Sequence, residues 1–155
     1  MNGLEVRDQD ADNAHTALGE DGTIITGDFA EFTPLEADII LLIDVLLHLP
    51  EAHQERGILQ LSQVLPPGGR LIIREADVDA GWRFHVTKWA ERIRAIFRGH
   101  FSQRYYYRSQ QVWEQVLKAN HLQVTTCLMS EGTPFANVLF IGVRCGKSIQ
   151  HNETD

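Results

Sequence analysis

Three titratable side chains follow apolar segments of the chain and are its candidates for acid–base chemistry. Glu75 and Asp77 follow the apolar segment at 70–74, and His48 follows the one at 39–44. Ligands of open α/β sheets bind beyond the carboxyl ends of the strands, so side chains at those ends can reach a substrate. A carboxylate or an imidazole there could exchange a proton with it. We therefore predict catalytic roles for all three, with a structural role at a helix start as the alternative for His48.

The segment at 78–108 is rich in aromatic and basic residues, and we expect it to cover the same edge of the sheet as a substrate cap. Trp82, Arg83 and Tyr106 are its candidate substrate contacts, because ligand pockets are lined by aromatic side chains and a few polar groups. A core role is the alternative for Trp82 and is favoured for Trp89, since apolar residues recur here at helical spacing. The basic residues of the segment are Arg83, Lys88, Arg92, Arg94, Arg98, Arg104 and Arg108.

Composition and charge restrict the partners. The chain has 155 residues and a formal net charge of −7, which would repel nucleic acid unless basic residues were gathered on one face. The basic segment could meet an anionic substrate, a lipid headgroup or RNA, but charge runs are usually solvated, so no nucleic-acid partner is expected. Cys127 and Cys145 are too few for a disulfide framework or a zinc site, and no metal is predicted. No apolar run could span a membrane and no targeting signal is visible, which predicts a cytoplasmic protein.

Strand and helix patterns alternate along the chain. Short apolar runs predict strands at 4–6, 23–26, 39–44, 70–74, 122–129 and 138–143. Several of these runs lack alternation, which is typical of strands that are covered on both faces in a parallel sheet. Helical spacing predicts helices at 50–65 and 82–97, and a third from the N-cap Ser109 to Asn120. This alternation indicates an α/β fold with a mostly parallel sheet. The link between the last two strands is too short for a parallel crossover, so they should form an antiparallel hairpin.

Three blocks of sequence occur in a characteristic order: Gly-Asp-Phe at 27–29, Ala-Asp-Ile-Ile-Leu-Leu-Ile-Asp-Val-Leu-Leu-His-Leu-Pro at 37–50, and Leu-Pro-Pro-Gly-Gly-Arg-Leu-Ile-Ile at 65–73. Together they resemble the class I S-adenosylmethionine-dependent methyltransferases, which have a Rossmann-like fold. The resemblance extends over roughly 3–144. It implies S-adenosylmethionine as the cofactor, which presents an electrophilic methyl group to a nucleophile that the protein positions.

The resemblance also implies cofactor contacts. Glu5 matches the acidic residue that binds the ribose hydroxyls, with Asp8 as the alternative if the register slips. Asp28 matches the residue that contacts the adenine amino group, and Phe29 lies beside the ring. Asp44 and Val45 match the segment that lines the methionine end, and His48 points toward the substrate. Turn or cap roles are the alternatives for Glu5 and Asp28.

One part of the family's domain has no counterpart in this sequence. The family's domain opens with a strand, a glycine-rich turn and a helix, and this chain has no such unit before its Gly-Leu-Glu at 3–5. The family strand order 3-2-1-4-5-7-6 would then have a gap beside the strand that ends at Glu5. We expect a partial methyltransferase domain at 1–145, with the cap insertion at 78–108 and a flexible tail at 146–155. It could be a fragment of a longer enzyme, a domain whose strands close the gap, or a homodimer that covers the open edges.

The predicted function is methyl transfer from S-adenosylmethionine to a small-molecule or lipid-like acceptor, impaired in a chain without the glycine-rich turn. The alternative is a non-enzymatic Rossmann-like relic or a dimeric interaction module. An RNA methyltransferase is a weaker third possibility, which only the basic segment suggests.

Overall fold

A computed structural model describes residues 2–5, 8–27, 29, 31, 33–97 and 104–146. The chain forms two compact units, Met1–Leu35 and Glu36–Asp155. The predicted adenine contact Asp28 and nearly all of the predicted tail lie outside the described residues.

The first unit is a single β-α-β motif. Strand β1 (Asn2–Glu5) leads into helix α1 (Asp8–Leu18), and a short 3-10 turn (Gly19–Asp21) precedes strand β2 (Thr23–Thr26). The two strands pair in parallel, with Glu5 opposite Thr26. The predicted fold has the same order of elements from its second strand to its third.

The second unit contains the larger sheet. Its elements are β3 (Ile39–Ile43), α2 (Glu51–Val64), β4 (Arg70–Ala76), α3 (Trp82–Phe97), α4 (Gln110–Ala119), β5 (Leu122–Leu128) and β6 (Asn137–Arg144). The strand order is β3-β4-β6-β5, in which β3 and β4 are parallel and β6 is antiparallel to both of its neighbours. The predicted α/β fold with a terminal antiparallel hairpin is confirmed.

Each of the two sheets has an edge strand that the predicted strand order places next to the absent strand. In the described residues β1 pairs with β2 and β3 pairs with β4, so the strands that carry Glu5 and precede Asp44 each have one hydrogen-bonded neighbour. In the predicted order these are the two strands that would flank the absent strand.

The core of the second unit lies between the larger sheet and its helices. Among its fully buried side chains are Ile58, Leu71, Ile73, Leu117 and Phe140. Helix α4 begins as predicted, because the Ser109 hydroxyl accepts a hydrogen bond from the Val112 amide at 3.3 Å.

Two expectations about burial are wrong. Strand β3 is not covered on both faces, since Ile39, Leu41 and Ile43 are exposed while Leu42 between them is buried. The apolar stripe of α3 does not enter the core either, and Trp89 is 68% exposed. In both cases the apolar pattern is present but the described chain supplies no element to cover it.

Candidate functional site

The carboxyl ends of β3 and β4 lie side by side and carry a salt bridge. Asp44, directly after β3, has a positive φ of 55°, and its amide donates to the carbonyl of Arg74 at 3.1 Å. The Arg74 guanidinium donates twice to the Asp44 carboxylate, with 3.1 Å between Nε and Oδ1. This hydrogen bond raises the pKa of Arg74, with burial opposing it. A non-glycine residue in the left-handed region is uncommon and is often found at functional sites.

A cavity of about 110 Å³ lies between this salt bridge, helix α3 and the β5–β6 connection. Its lining residues are Asp44, Leu47, Arg74, Ala76, Thr87, Ala90, Glu91, Arg94, Tyr107, Phe135 and Asn137. All of them belong to the second unit. The volume is below the roughly 300 Å³ at which drug-sized ligand pockets begin, so the cavity fits the reacting end of a ligand rather than a whole one.

Tyr107 is a lining residue whose hydroxyl group is buried and, among the described residues, unpaired. Its hydroxyl oxygen is buried and has no hydrogen-bond partner within the described part of the chain. Burial, and next the negative charge of Glu91, raise the pKa of Tyr107 above its usual range. The hydroxyl therefore stays protonated at neutral pH and does not serve as a base.

Helix α3 is fixed over the cavity by polar contacts. The Thr87 hydroxyl accepts from the Ala136 amide at 2.9 Å and donates to the Arg83 carbonyl at 3.0 Å. Glu91 faces the cavity and forms an ion pair with Arg94 at 3.0 Å. Of these contacts, the Thr87–Ala136 hydrogen bond connects the helix to the residue before β6.

Glu75 lies in β4, not after it, because the strand continues to Ala76. Alternate residues of a strand share a face, so the Glu75 side chain points with those of Leu71 and Ile73 into the core, where it is 2% exposed. Its Oε1 accepts from the Leu46 amide at 2.9 Å. Burial raises its pKa to about 8, although the Leu46 hydrogen bond lowers it. These contacts place Glu75 beneath the loop after β3 rather than in the cavity.

Asp77 contacts backbone amides instead of the cavity. Its Oδ1 accepts from the Gln110 amide at 2.9 Å and from the Asp79 amide at 3.1 Å. Gln110 is the first residue of α4, whose unpaired amides and positive dipole end favour a carboxylate. Asp77 thus fastens the start of α4 to the end of β4.

The buried side chain of Gln54 holds the loop after β3 in place. Its Nε2 lies 2.9 Å from the Leu46 carbonyl, 3.0 Å from the Leu49 carbonyl and 2.9 Å from the Tyr106 carbonyl. The Tyr106 amide in turn donates to the Leu47 carbonyl at 2.8 Å. Tyr106, a predicted substrate residue, is therefore placed by its backbone, and its neighbour Tyr107 lines the cavity.

The other predicted residues of the second unit lie around the cavity, not in its lining. The exposed ring of His48 lies 5.4 Å from that of Tyr105, which is 5.9 Å from that of Tyr107. Trp82 is exposed, with the Arg83 guanidinium 5.0 Å from its ring centre. Val45 is half-buried at the start of the 3-10 turn Leu46–His48.

Two predicted cofactor residues belong to the first unit. Glu5 ends β1, and its carbonyl accepts from the Gly27 amide at 3.0 Å. Phe29 is half-buried in the turn region after β2. Among the described residues no group of three or more His, Cys, Asp or Glu side chains could hold a metal ion. No described helix is both long and apolar enough to span a bilayer.

The predictions omitted residues that the structure brings to the cavity. Arg74, Thr87 and Glu91 were not proposed as site residues, although Arg74 follows an apolar run and Glu91 is the one acidic residue of a basic helix. Those two departures from the local pattern were the available signals. Thr87 carried none, and Tyr107 is one of the aromatic residues of the segment predicted as a substrate cap.

No known family model matches the chain. Its fold is nevertheless that of several solved structures. Magnesium protoporphyrin IX methyltransferase from Synechocystis PCC 6803, solved with bound S-adenosylhomocysteine, matches with a TM-score of 0.67 and 20% identity, over 92% of this chain and 63% of its own. An O-methyltransferase family protein from Burkholderia thailandensis matches with a TM-score of 0.69 and 17% identity, over 94% and 43%. Human N-acetylserotonin methyltransferase, solved with S-adenosylmethionine, matches with a TM-score of 0.65 and 14% identity, over 94% and 40%.

The chain thus spans between 40% and 63% of the length of these three structures. Almost all of it is included in each match. The chain has the fold of the class I S-adenosylmethionine-dependent methyltransferases.

Proposed function

We propose that this chain carries part of the active site of an S-adenosylmethionine-dependent methyltransferase that acts on a small-molecule or lipid-like acceptor. The observation that carries the proposal is the Asp44–Arg74 salt bridge beside a cavity at the carboxyl ends of β3 and β4. In open α/β sheets this is the edge where ligands bind.

The charges at this edge suit the amino-acid end of the cofactor. That end carries an ammonium and a carboxylate, and Asp44 and Arg74 present the opposite charges, each with 31% of its side chain exposed. By the resemblance, Glu5 and Asp28 are the predicted ribose and adenine contacts, with Phe29 beside the adenine ring, and Val45 is a predicted contact of the methionine end. When bound, S-adenosylmethionine supplies an electrophilic methyl group.

The residues around the cavity can orient an acceptor. Tyr107 lines the cavity where an acceptor would lie, and Thr87 holds the helix above it. Glu91 supplies a carboxylate in the lining. Alignment of the two reacting atoms is the main contribution that a protein makes to such a transfer.

Proton handling falls to His48 in this proposal. The imidazole is exposed and lies against Tyr105 at the same edge. Glu75 and Asp77 were predicted for the same chemistry, but their hydrogen bonds to the Leu46 and Gln110 amides favour positioning roles. Trp82 and Arg83 remain candidates for contact with the outer part of an acceptor. The cytoplasmic location stays a prediction.

Calorimetric titration of S-adenosylhomocysteine into the chain tests the proposal. We expect weak binding, because the glycine-rich unit of the family is absent from the sequence. Asp44→Asn and Arg74→Gln should each weaken it by about tenfold, since each removes a charged hydrogen-bond partner. Lys118→Gln is the matched control, because it breaks an exposed ion pair with Glu114 away from the cavity.

If Asp44→Asn, Arg74→Gln and the control all bind S-adenosylhomocysteine with the same affinity, the assignment of this sheet edge to the cofactor is refuted. Absence of binding both by the chain and by any longer protein that contains it would refute methyl transfer altogether. Nanomolar binding by the chain alone would show that the glycine-rich unit is not required.

A second candidate is an interaction module without catalytic activity. It is favoured by the exposed face of β3, where Ile39, Leu41 and Ile43 form an apolar row. A second copy could cover that row and the open strand edges. Light scattering that shows an obligate dimer, with no stabilisation by S-adenosylhomocysteine, would support this alternative.

A further inference from the structure

Helix α3 exposes the apolar face that its sequence pattern would place in the core. Trp82 is 60% exposed, Trp89 68% and Ile96 53%. These residues are seven apart, so on a helix with 3.6 residues per turn they lie within about 40° of one another. Val86 and Ile93 fall between them on the same face, and Phe97 beside it is exposed as well. We call these six residues the outer face of α3.

The opposite side of α3 is held by specific contacts, so the orientation of the helix is fixed. Thr87 bonds to the residue before β6, and the Phe84 ring packs edge-on against Tyr107 at 5.0 Å. The Tyr105 hydroxyl also donates to the Glu91 carbonyl at 3.4 Å. A rotation that buried the outer face would break all three contacts.

Basic side chains flank the outer face on both sides. Helical positions place Arg83 along one flank, together with Arg94, which also pairs with Glu91 at the cavity, and they place Lys88 and Arg92 along the other. The one acidic residue of the helix, Glu91, lies on the opposite side and lines the cavity. Thus the helix is basic in a chain whose formal net charge is −7.

Not every basic residue of the segment at 78–108 belongs to this surface. Arg108 is buried, and its guanidinium pairs with Glu55 at 2.9 Å. Arg98 lies outside the described residues, and Arg104 is exposed after the helix. The basic surface is therefore formed by side chains of α3, which flank Trp82 and Trp89 of the outer face.

We propose that the outer face of α3 binds the surface of an anionic lipid bilayer, with the helix lying in the plane of the interface. Helices with Trp and Phe on one face and Lys or Arg beside it bind in this way, through apolar burial and attraction to anionic lipids. Tryptophan also favours the boundary between hydrocarbon and headgroups. The proposal does not depend on methyl transfer.

Charge distinguishes this occupant from two others. A second copy placed on the same face would bring two sets of like-charged flanks together, whereas anionic headgroups complement them. RNA would place its phosphates against apolar side chains at the centre of the surface. Phosphate contacts are made by basic and polar side chains, so this face does not suit RNA. The acidic remainder of the chain would be repelled by the bilayer, which should orient the protein with α3 toward it.

Vesicle binding by the whole chain tests the proposal. We expect sedimentation with vesicles of equal parts phosphatidylcholine and phosphatidylserine, weaker binding to pure phosphatidylcholine, and a blue shift of tryptophan emission on binding. Trp113 is 1% exposed, so the shift would come from Trp82 and Trp89. Raising the salt concentration should weaken binding, because it screens the flanking charges.

Matched variants separate the apolar and the charged contributions. The double variant Trp82→Ala, Trp89→Ala should abolish sedimentation, whereas Leu59→Ala, which removes an exposed apolar side chain of α2, should not. Lys88→Gln with Arg92→Gln should lower the partition coefficient on anionic vesicles by roughly thirtyfold. The control for charge is Lys118→Gln on α4. The variants change exposed side chains, and circular dichroism checks that each remains folded.

Three results would overturn the proposal. The first is sedimentation that is equal on anionic and neutral vesicles or unchanged in the double tryptophan variant. The second is no vesicle binding, together with a concentration-dependent dimer that the same variant abolishes, which would assign the face to a second copy. The third is salt-sensitive binding to polyuridylic acid without vesicle binding, which would assign it to RNA. None of these readouts uses the cofactor, so they are independent of the proposed methyl transfer.

Discussion

Replacement of Glu75 by glutamine should change how the stability of the chain depends on pH. The wild-type carboxyl is buried and has a pKa of about 8 in the folded protein, compared with an ordinary value of 4.5. Because the folded value is the higher one, the unfolded chain loses this proton first as the pH rises. The contribution of Glu75 to the free energy of unfolding is therefore largest below pH 4.5 and declines as the pH rises to about 8.

The size of the effect follows from the linkage relation. Between the two pKa values, the free energy of unfolding falls by about 1.4 kcal/mol for each unit of pH. From pH 5 to pH 8 the total decrease is about 4 kcal/mol. Glutamine is similar in shape, and its carbonyl oxygen can still accept from the Leu46 amide. It cannot ionise, so Glu75→Gln should become progressively more stable than the wild type as the pH rises.

Urea unfolding at pH 5, 6, 7 and 8 measures this difference. All three tryptophans lie in the second unit, so their fluorescence follows the part of the chain that contains Glu75. Glu114→Gln is the control, because hydrogen bonds from Gln110 and Lys118 lower the pKa of that half-buried carboxyl. Its variant should show a constant difference above pH 5. A constant difference for Glu75→Gln as well would refute the burial argument and the positioning role derived from it.

Substitutions at three further positions test the loop, the cavity and a helix cap by urea unfolding at pH 6. Gln54→Ala should destabilise the second unit by about 2–4 kcal/mol, because the two amide hydrogens that three backbone carbonyls share are lost; a loss below about 1 kcal/mol would contradict its role in holding the loop. Tyr107→Phe should leave stability unchanged or raise it by up to about 1 kcal/mol, since the hydroxyl it removes is unpaired; a clear loss would reveal a partner. Ser109→Ala should cost about 1 kcal/mol through the lost N-cap, whereas Ser109→Gly should cost less.

Local patterns in the sequence were sufficient for the secondary structure of the second unit. The helix predicted at 82–97 has those bounds, and the short link between β5 and β6 allowed only an antiparallel pairing. Strand and helix periodicity are properties of neighbouring residues, which explains why they can be recognised without the fold. The strand β4 extends two residues further than predicted, and this moved Glu75 from a strand end into the core.

The direction in which side chains point depended on the tertiary structure. The apolar stripe of α3 predicted a core face, but Thr87 and Phe84 anchor the other side of the helix, so Trp89 faces outward. Likewise, the sequence identified an aromatic segment at the substrate edge without showing that Tyr107, and not Tyr106, reaches the cavity.

The sequence by itself determined the order of strands and helices, the terminal hairpin and the resemblance to methyltransferases, because these depend on short-range patterns and motif spacing. Only the tertiary structure decided that Arg74 pairs with Asp44, that Glu75 supports a loop and that Asp77 caps α4. The physical reason is that each of these contacts joins residues about thirty positions apart in the chain, and folding alone determines which of them meet.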